Sequence, residues 1–298
     1  MRNIIKTFIF VVLTFLLIGG QELHAETRRA LLIGISDYGN EMEDPNKWTN
    51  ISGANDVALL SPLFKQQGYK VTTLSDAQAT YSGITSALKK IAKQSQKGDI
   101  VYLHFSMHGQ PFEDLNGDEA DGWDEALIPV DAQMQYSKGV YEGDNHILDD
   151  ELEGYFDKLR SKIGSTGQLY VVLDACHSGT SSRGDEERVR GIRDGFTRSG
   201  KYYIPDRKKE TNEYFKIPTS KGQSSVTILE ACRSYQLNKE VRDADTNVWY
   251  GSLSYYIAKA MKEYKIGSSN DWIDYVKTAM SQNKKLRRQN MVIETSKE

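Results

Sequence analysis

Two short motifs in this sequence carry residue types capable of covalent chemistry. One is Asp174-Ala175-Cys176-His177-Ser178-Gly179, which ends the apolar run LYVVL; the other is Ser106-Met107-His108-Gly109, which ends IVYLHF. A thiolate is a nucleophile, and an imidazole from another element can take its proton. His177 adjoins the cysteine, and neighbouring side chains of an extended segment point apart, so it is a poor base. His108, at the mouth of a different strand and followed by a glycine, is the better one. His104 lies deeper in its strand and reads as a packed core residue, while His146 sits in a loop before a helix. Asp174 stands two residues before Cys176, so on a strand both side chains share one side, and an acid there suits a cationic group. The plain alternative is an inert buried thiol, or a bridge from Cys176 to Cys232, the chain's other cysteine.

Such motifs work only if the strands that end in them lie side by side. Apolar runs read as strands over 28–38, 69–74, 99–109, 168–175 and 224–232. Between them, helical periodicity appears over 52–69, with Ser52 as its cap and Pro62 as a kink site, over 84–96, and over 147–162, with Asp149 or Asp150 near the cap. Two late helices follow, in GSLSYYIAKAMKEY and NDWIDYVKTAMSQ. Alternating strands and helices predict an α/β fold with a mostly parallel central sheet covered on both faces, whose working residues gather at the carboxyl ends of the strands. The stretch 180–222 interrupts the alternation. It is dense in Arg, Lys, Asp and Gly, and reads as a long exposed connection.

MRNIIK followed by TFIFVVLTFLLIGG and ending at Ala25 has the makeup of a signal peptide over 1–25. The expectation is a mature chain of 26–298, periplasmic or secreted, with no membrane attachment after cleavage. A formal net charge of −3 with 27% charged residues gives no global basic surface for nucleic acid. Two cysteines are too few for a disulfide scaffold.

ALLIGISDY, the GANDV helix, YLHFSMHG, DLNGDEADGWDEALIPVD, ILDDEL, VVLDACHSGT and TILEACRSYQLNKEV occur in that order across about 28–260. Together they resemble the bacterial metacaspases, a branch of the caspase-like cysteine peptidases. The resemblance implies a three-layer α/β/α caspase-like domain in which 180–222 links a large and a small part. It implies Cys176 as nucleophile, His108 as base, and an oxyanion hole from the backbone N–H groups of Gly109 and Cys176. Asp56 and Ser106 then join Asp174 in a pocket for Arg or Lys at the residue before the cut, with Glu240 as a further acid. Protein or peptide substrates with basic residues are the implied partners. No cofactor is required, but the calcium-dependent members imply an ion at Asp124, Asp149 and Asp150. The fourth such position falls near Arg183, a reversal of charge, with Asp185 close by. Asp114-x-Asn116-x-Asp118 has calcium-loop spacing, yet Glu119 stands where an EF-hand needs glycine. Trp123, Trp249 and Tyr255-Tyr256 read equally as subsite linings and as core aromatics.

Basic residues shortly after Cys176 suggest self-cleavage between Arg183 and Lys221, against the plainer reading of a solvated loop. Two rival identities stay open. One is a clostripain- or gingipain-like peptidase; the other is a silent caspase-fold binding protein with its cysteines bridged.

Overall fold

The alternation along RRALLIG decides which layer each side chain joins. In β1 (Arg28–Gly34), Ala30 and Leu32 enter one buried cluster while Leu31 and Ile33 enter another on the opposite face. The computed structural model describes residues 26–40, 44, 46–176, 188–204 and 214–296. The expected leader, His177, Arg183 and Asp185 therefore lie outside the described residues.

After β1 come α1 (Gly53–Gln66), β2 (Lys70–Ser75), α2 (Tyr81–Gln94), β3 (Ile100–Ser106), β4 (His108–Glu113), β5 (Trp123–Ile128) and β6 (Ile147–Leu148). The chain continues through α3 (Asp149–Ile163), β7 (Gln168–Asp174), β8 (Tyr214–Lys216), β9 (Ser225–Glu230), β10 (Glu240–Arg242) and β11 (Trp249–Gly251). It closes with α4 (Ser252–Ala260), α5 (Asp271–Gln282) and β12 (Val292–Thr295).

The central sheet has the order β2-β1-β3-β7-β9-β12-β8. The pairings from β2 to β9 are parallel, and β12 runs antiparallel to β9. β3 is buried at every position and β7 at all but one, as expected where helices cover both faces. Val57, Leu60 and Phe64 of α1, with Leu253 and Ile257 of α4 and Trp272 and Val276 of α5, form one layer. Ile84, Leu88 and Ile91 of α2, with Leu152, Phe156 and Leu159 of α3, form the other. The architecture is the expected three-layer α/β/α arrangement.

Several local expectations need correction. The run 99–109 is not one strand: β3 stops at Ser106, and His108 opens β4, the outer strand of a separate antiparallel sheet with β5 and β6. Pro111 has no N–H to give, which suits that outer position and not a central strand. Ser52 does stand before α1, but its hydroxyl donates to Glu240 Oε2 (2.8 Å) instead of capping the helix. Helix α1 continues through Pro62. Leu148 occupies the cap position of α3, and Asp149 and Asp150 fill its first turn, where acids favour the helix dipole. The stretch 180–222 is not simply exposed, since Val189, Arg190, Phe196 and Tyr203 are buried.

Candidate active site

Strand register sets the site. Gly34 lies opposite Ser106, and Ser106 opposite Asp174, so β1, β3 and β7 end level with one another. His108 follows Ser106 by two residues and Cys176 follows Asp174 by two, so both motifs leave the same edge of the sheet. Helix α1 starts against this edge because Gly53 has no side chain. A Cβ there would collide with the carbonyl oxygen of Ser106. One turn into α1, Asp56 reaches Ser106, whose hydroxyl donates to Asp56 Oδ2 (2.6 Å).

Asp56, Ser106, Asp174 and Glu240 converge on one cation, the guanidinium of Arg190. Its Nη2 lies 2.8 Å from Asp56 Oδ2 and 2.9 Å from Glu240 Oε1, and its Nε donates to Glu240 Oε1 at 3.0 Å. Its Nη1 donates to Ser106 Oγ (2.6 Å) and sits 3.6 Å from Asp174 Oδ1. The side chains of Arg190, Asp56, Asp174 and Glu240 are all 0% exposed at these ion pairs, so water screens none of them. Second partners hold the acids in place. Gly251 N donates to Asp56 Oδ1, Asn238 Nδ2 to Asp174 Oδ1, Ser254 N and Oγ to Asp174 Oδ2, and Ser52 N to Glu240 Oε1. Burial pushes Asp56 up to about 7, with Arg190 pulling against it and Asp174 adding to the rise. For Asp174 burial also acts upward, but Arg190 and the bonds from Asn238 and Ser254 prevail and hold it below the ordinary carboxylate value.

His108 is buried between aromatic rings. Trp48 stacks on it at 5.1 Å and Tyr38 packs at 5.0 Å. Its Nε2 lies 2.8 Å from Thr49 O, an acceptor, so that nitrogen carries the proton. Nδ1 is buried with no hydrogen-bond partner, which leaves its lone pair available. Burial lowers the imidazole to about 4, with the Thr49 bond opposing and the charge of Arg190 adding to the fall. The ring is therefore neutral near pH 7, the state a proton acceptor needs. Cys176, just past β7, is 1% exposed, and its thiol donates to Gln236 O at 2.8 Å. Cys232 Sγ lies 3.5 Å from the same oxygen, and no disulfide joins the two. The bond between the thiols, followed by burial, raises the Cys232 thiol. The two residues named for the oxyanion hole, Gly109 and Cys176, flank a single point: a Cβ on Gly191 would collide with Cys176 O and lie 3.1 Å from Gly109 O.

The remaining histidines and aromatics find structural partners. His104 Nε2 pairs with Ser254 Oγ at 3.0 Å, as a core residue would. His146 is buried between Tyr141 Oη (2.9 Å) and Gln110 Oε1 (3.0 Å). Trp123 packs edge-on against Tyr203, Trp249 lies under the guanidinium of Arg188 at 5.1 Å, and Tyr255 donates to Asp243. Reading the sequence alone misses Tyr38, Trp48, Thr49, Asn238, Ser254 and Arg190. Trp48 and Thr49 are isolated loop residues without periodicity, and Tyr38 ends the run 28–38 read as a strand but lies beyond β1, which stops at Gly34. Arg190 did leave a signal, two arginines on either side of Val189 before a glycine.

In the acidic loop, the carboxylates that approach one another within 4.8 Å are Asp114, Asp118 and Asp124. Asp149 and Asp150 do not join that group, although Asp124 and Asp150 both lie near enough to Asp149 to raise its carboxyl. Asp150 instead accepts from Asn116 Nδ2 (3.0 Å). Glu125 stands at the twelfth position counted from Asp114 but lies within β5 opposite Pro111. Burial and neighbouring acids raise Asp124 to about 6, and burial followed by Asp124 raises Asp149 to about 7. Asp149 Oδ1 is buried without a partner. Crowded acids with an orphaned oxygen fit a hard cation in chemistry. Among the described residues, no helix is long and apolar enough to cross a membrane.

Comparison with known proteins bears on the family and the fold. Metacaspase-1B of Aspergillus fumigatus is 36% identical over 165 residues, covering 52% of this chain and 36% of that protein. Metacaspase-1 of Mycosarcoma maydis is 33% identical over 164 residues, covering 52% and 36%. The chain thus matches little more than a third of the length of these relatives. A crystal structure of a Geobacter sulfurreducens protein superposes with a TM-score of 0.59 at 21% identity, covering 91% of this chain and 93% of that one, a likeness of fold. The caspase-domain profile matches residues 27–296, nearly all that lies beyond the expected leader. With a buried thiol and a buried imidazole leaving one edge of an α/β/α sheet, the chain belongs to the caspase-domain family of cysteine peptidases.

Proposed function

We propose that the chain is an exported cysteine endopeptidase of the bacterial metacaspase type that cuts protein or peptide chains after Arg or Lys. The observation that carries this reading is the cation in the pocket: three acids and a hydroxyl, all buried, hold the guanidinium of Arg190, and one of those acids, Asp174, stands two residues before the cysteine. An aspartate side chain there would meet like charge with no water to screen it.

In this mechanism His108 Nδ1 takes the proton of Cys176, and Nε2–H stays bonded to Thr49 O. The thiolate attacks the carbonyl carbon of the residue whose side chain fills the pocket. Charge on that oxygen is met by the N–H groups of Gly109 and Cys176. The C–N bond breaks, the amine leaves with the proton held by His108, and a thioester remains. Water, deprotonated by the same nitrogen, then hydrolyses the thioester and restores the thiol. Calcium, if bound, would be held by Asp114, Asp118 and Asp124 beside Asp149 and Asp150, and would offset the charge that crowds these acids. Kinetics on matched peptides with Arg, Lys, Asp or Leu before the scissile bond test the reading. Arg and Lys peptides are cut and the others are not, and Cys176→Ala is inert. Cleavage after Asp, or undiminished turnover in Cys176→Ala, would overturn it.

A further inference from the structure

The arginine in the pocket belongs to the chain itself, and the residues around it are laid out as a substrate would be. Arg190 N donates to Asn238 O (3.0 Å), Glu240 N donates to Arg188 O (2.8 Å), and Val189 bridges antiparallel to Lys239. Residues 188–190 thus add a short strand to the segment leading into β10, the main-chain mode by which extended peptides are recognised. Every second side chain faces the wall. Arg190 fills the acid pocket, and the guanidinium of Arg188 lies over the Trp249 ring. Gly191, the next residue, packs against the backbone of Cys176 and Gly109, where a side chain would not fit. The chain is anchored again beyond it. Phe196 N donates to Pro111 O (2.8 Å), Glu113 N donates to Phe196 O (2.9 Å), and the Phe196 ring stacks on Phe112 at 5.0 Å. Arg198 N and Thr197 Oγ1 then donate to the Glu113 carboxylate, at 2.9 and 2.8 Å. The peptide bond after Arg190 therefore hangs between two anchors, beside the residue that carries the thiol.

We propose that Arg190–Gly191 is the first bond this enzyme cuts, that the cut is made in cis, and that Arg190 closes the pocket to other substrates until then. The inference rests on the peptidase reading above and names its first substrate. Of the basic residues described between 183 and 221, Arg190 is the one seated among the pocket acids. It follows Cys176 by only fourteen residues in the same chain. Attack of the Cys176 thiolate on the Arg190 carbonyl carbon forms a thioester and breaks the bond to Gly191 N, which leaves as an amine with the proton from His108. Water then hydrolyses the thioester, giving an Arg190 carboxylate and the restored thiol. The Gly191 end stays docked through Phe196, while the Arg190 end becomes a chain terminus able to leave the pocket.

The test uses the full chain as wild type, Cys176→Ala, Arg190→Gln and Arg190→Lys. Intact mass and amino-terminal sequencing follow cleavage, and a fluorescent arginine acyloxymethyl ketone reports pocket access at the thiol. Wild type should yield a fragment beginning at Gly191, with a rate constant unchanged over about a hundredfold dilution, and probe labelling should rise in step with it. Cys176→Ala should stay intact. Arg190→Gln should remain uncut at this bond and label without a lag, and Arg190→Lys should be cut at the same bond. Because Arg190→Gln strands buried acids and can misfold, Arg190→Lys keeps the charge and carries the test alone if needed. A wild type that labels at once and cleaves peptides with the Arg190–Gly191 bond intact would overturn this inference and leave the peptidase reading standing. A rate that rises with concentration would overturn cleavage in cis. Absence of labelling and of cleavage in wild type and Arg190→Lys alike would overturn the peptidase reading itself.

Discussion

Asp56→Asn separates the charge of the pocket from its shape. Asp56 Oδ1 accepts from Gly251 N (3.0 Å), a bond the asparagine carbonyl can keep. Oδ2 accepts from Ser106 Oγ and faces Arg190 Nη2 at 2.8 Å, and there the substitution puts an NH2 group against another donor. Ser106 can turn to accept from that NH2 while still accepting from the guanidinium, so the fold should hold. The substrate cation loses one of its acids. Truncating one partner of a buried charge pair costs about 2–5 kcal/mol, much of it from the charge left unpaired. Glu240 lies 2.9 Å from the same nitrogen and Asp174 remains, so the low end applies. We expect a loss of about 2–3 kcal/mol, or about 30- to 150-fold in kcat/KM for arginine peptides. The pH dependence fixes the cause. Asp56 is raised to about 7, so well below that pH the wild-type group is protonated and as neutral as asparagine. The wild-type advantage should therefore be small near pH 5 and full near pH 8. The assay is kcat/KM on matched Arg and Leu peptides across that range, with both proteins first incubated until self-cleavage is complete. Loss on arginine under about threefold at pH 8, or an equal loss at pH 5, would refute this account of the pocket.

His108→Ala should lower kcat by about 10²- to 10⁴-fold, since the ring takes the proton of the thiol, and should leave the Arg190–Gly191 bond intact over an interval in which wild type is fully cut. Cys232→Ser should retain kcat/KM within about threefold, because Cys176 and Cys232 are not bridged; loss of all activity, or no titratable thiol in unfolded protein kept from reductant, would favour the silent bridged form. Asp149→Asn should raise Tm by a few degrees at pH 8 without divalent cations and by almost nothing near pH 4. The sign follows from the raised carboxyl: the folded state loses stability as pH climbs from the ordinary carboxylate value through about 7, and asparagine removes that loss. An equal shift at both pH values would assign the effect to packing.

The parallel sheet was legible because β3 and β7 are buried almost throughout, and burial on both faces leaves an unbroken apolar run in the sequence. Asp174 and Cys176 were legible for the same reason, as polar residues where such a run ends. Asp56 and Ser106 were not derivable from spacing. Their meeting depends on Gly34 and Gly53 letting α1 crowd the ends of β1 and β3, and glycines do not announce what approaches them. The shift of His108 out of the parallel sheet was hidden because IVYLHFSMHG reads as one strand, while β4 pairs with a segment on the far side of the acidic loop. The linker was misjudged on composition. Arg190 is buried because other parts of the chain supply its counter-charges, Asp56 lying 134 positions earlier and Glu240 fifty positions later.

The central claim is that Cys176 attacks the carbonyl next to a pocketed basic residue. Matched acyloxymethyl ketones ending in Arg, Lys or Asp, applied to the self-processed protein and mapped by peptide mass spectrometry, test it most directly. The account predicts a thioether on Cys176 Sγ with the Arg and Lys probes and none with the Asp probe. Modification of Cys232 in preference to Cys176, or equal labelling by the Asp probe, would contradict it.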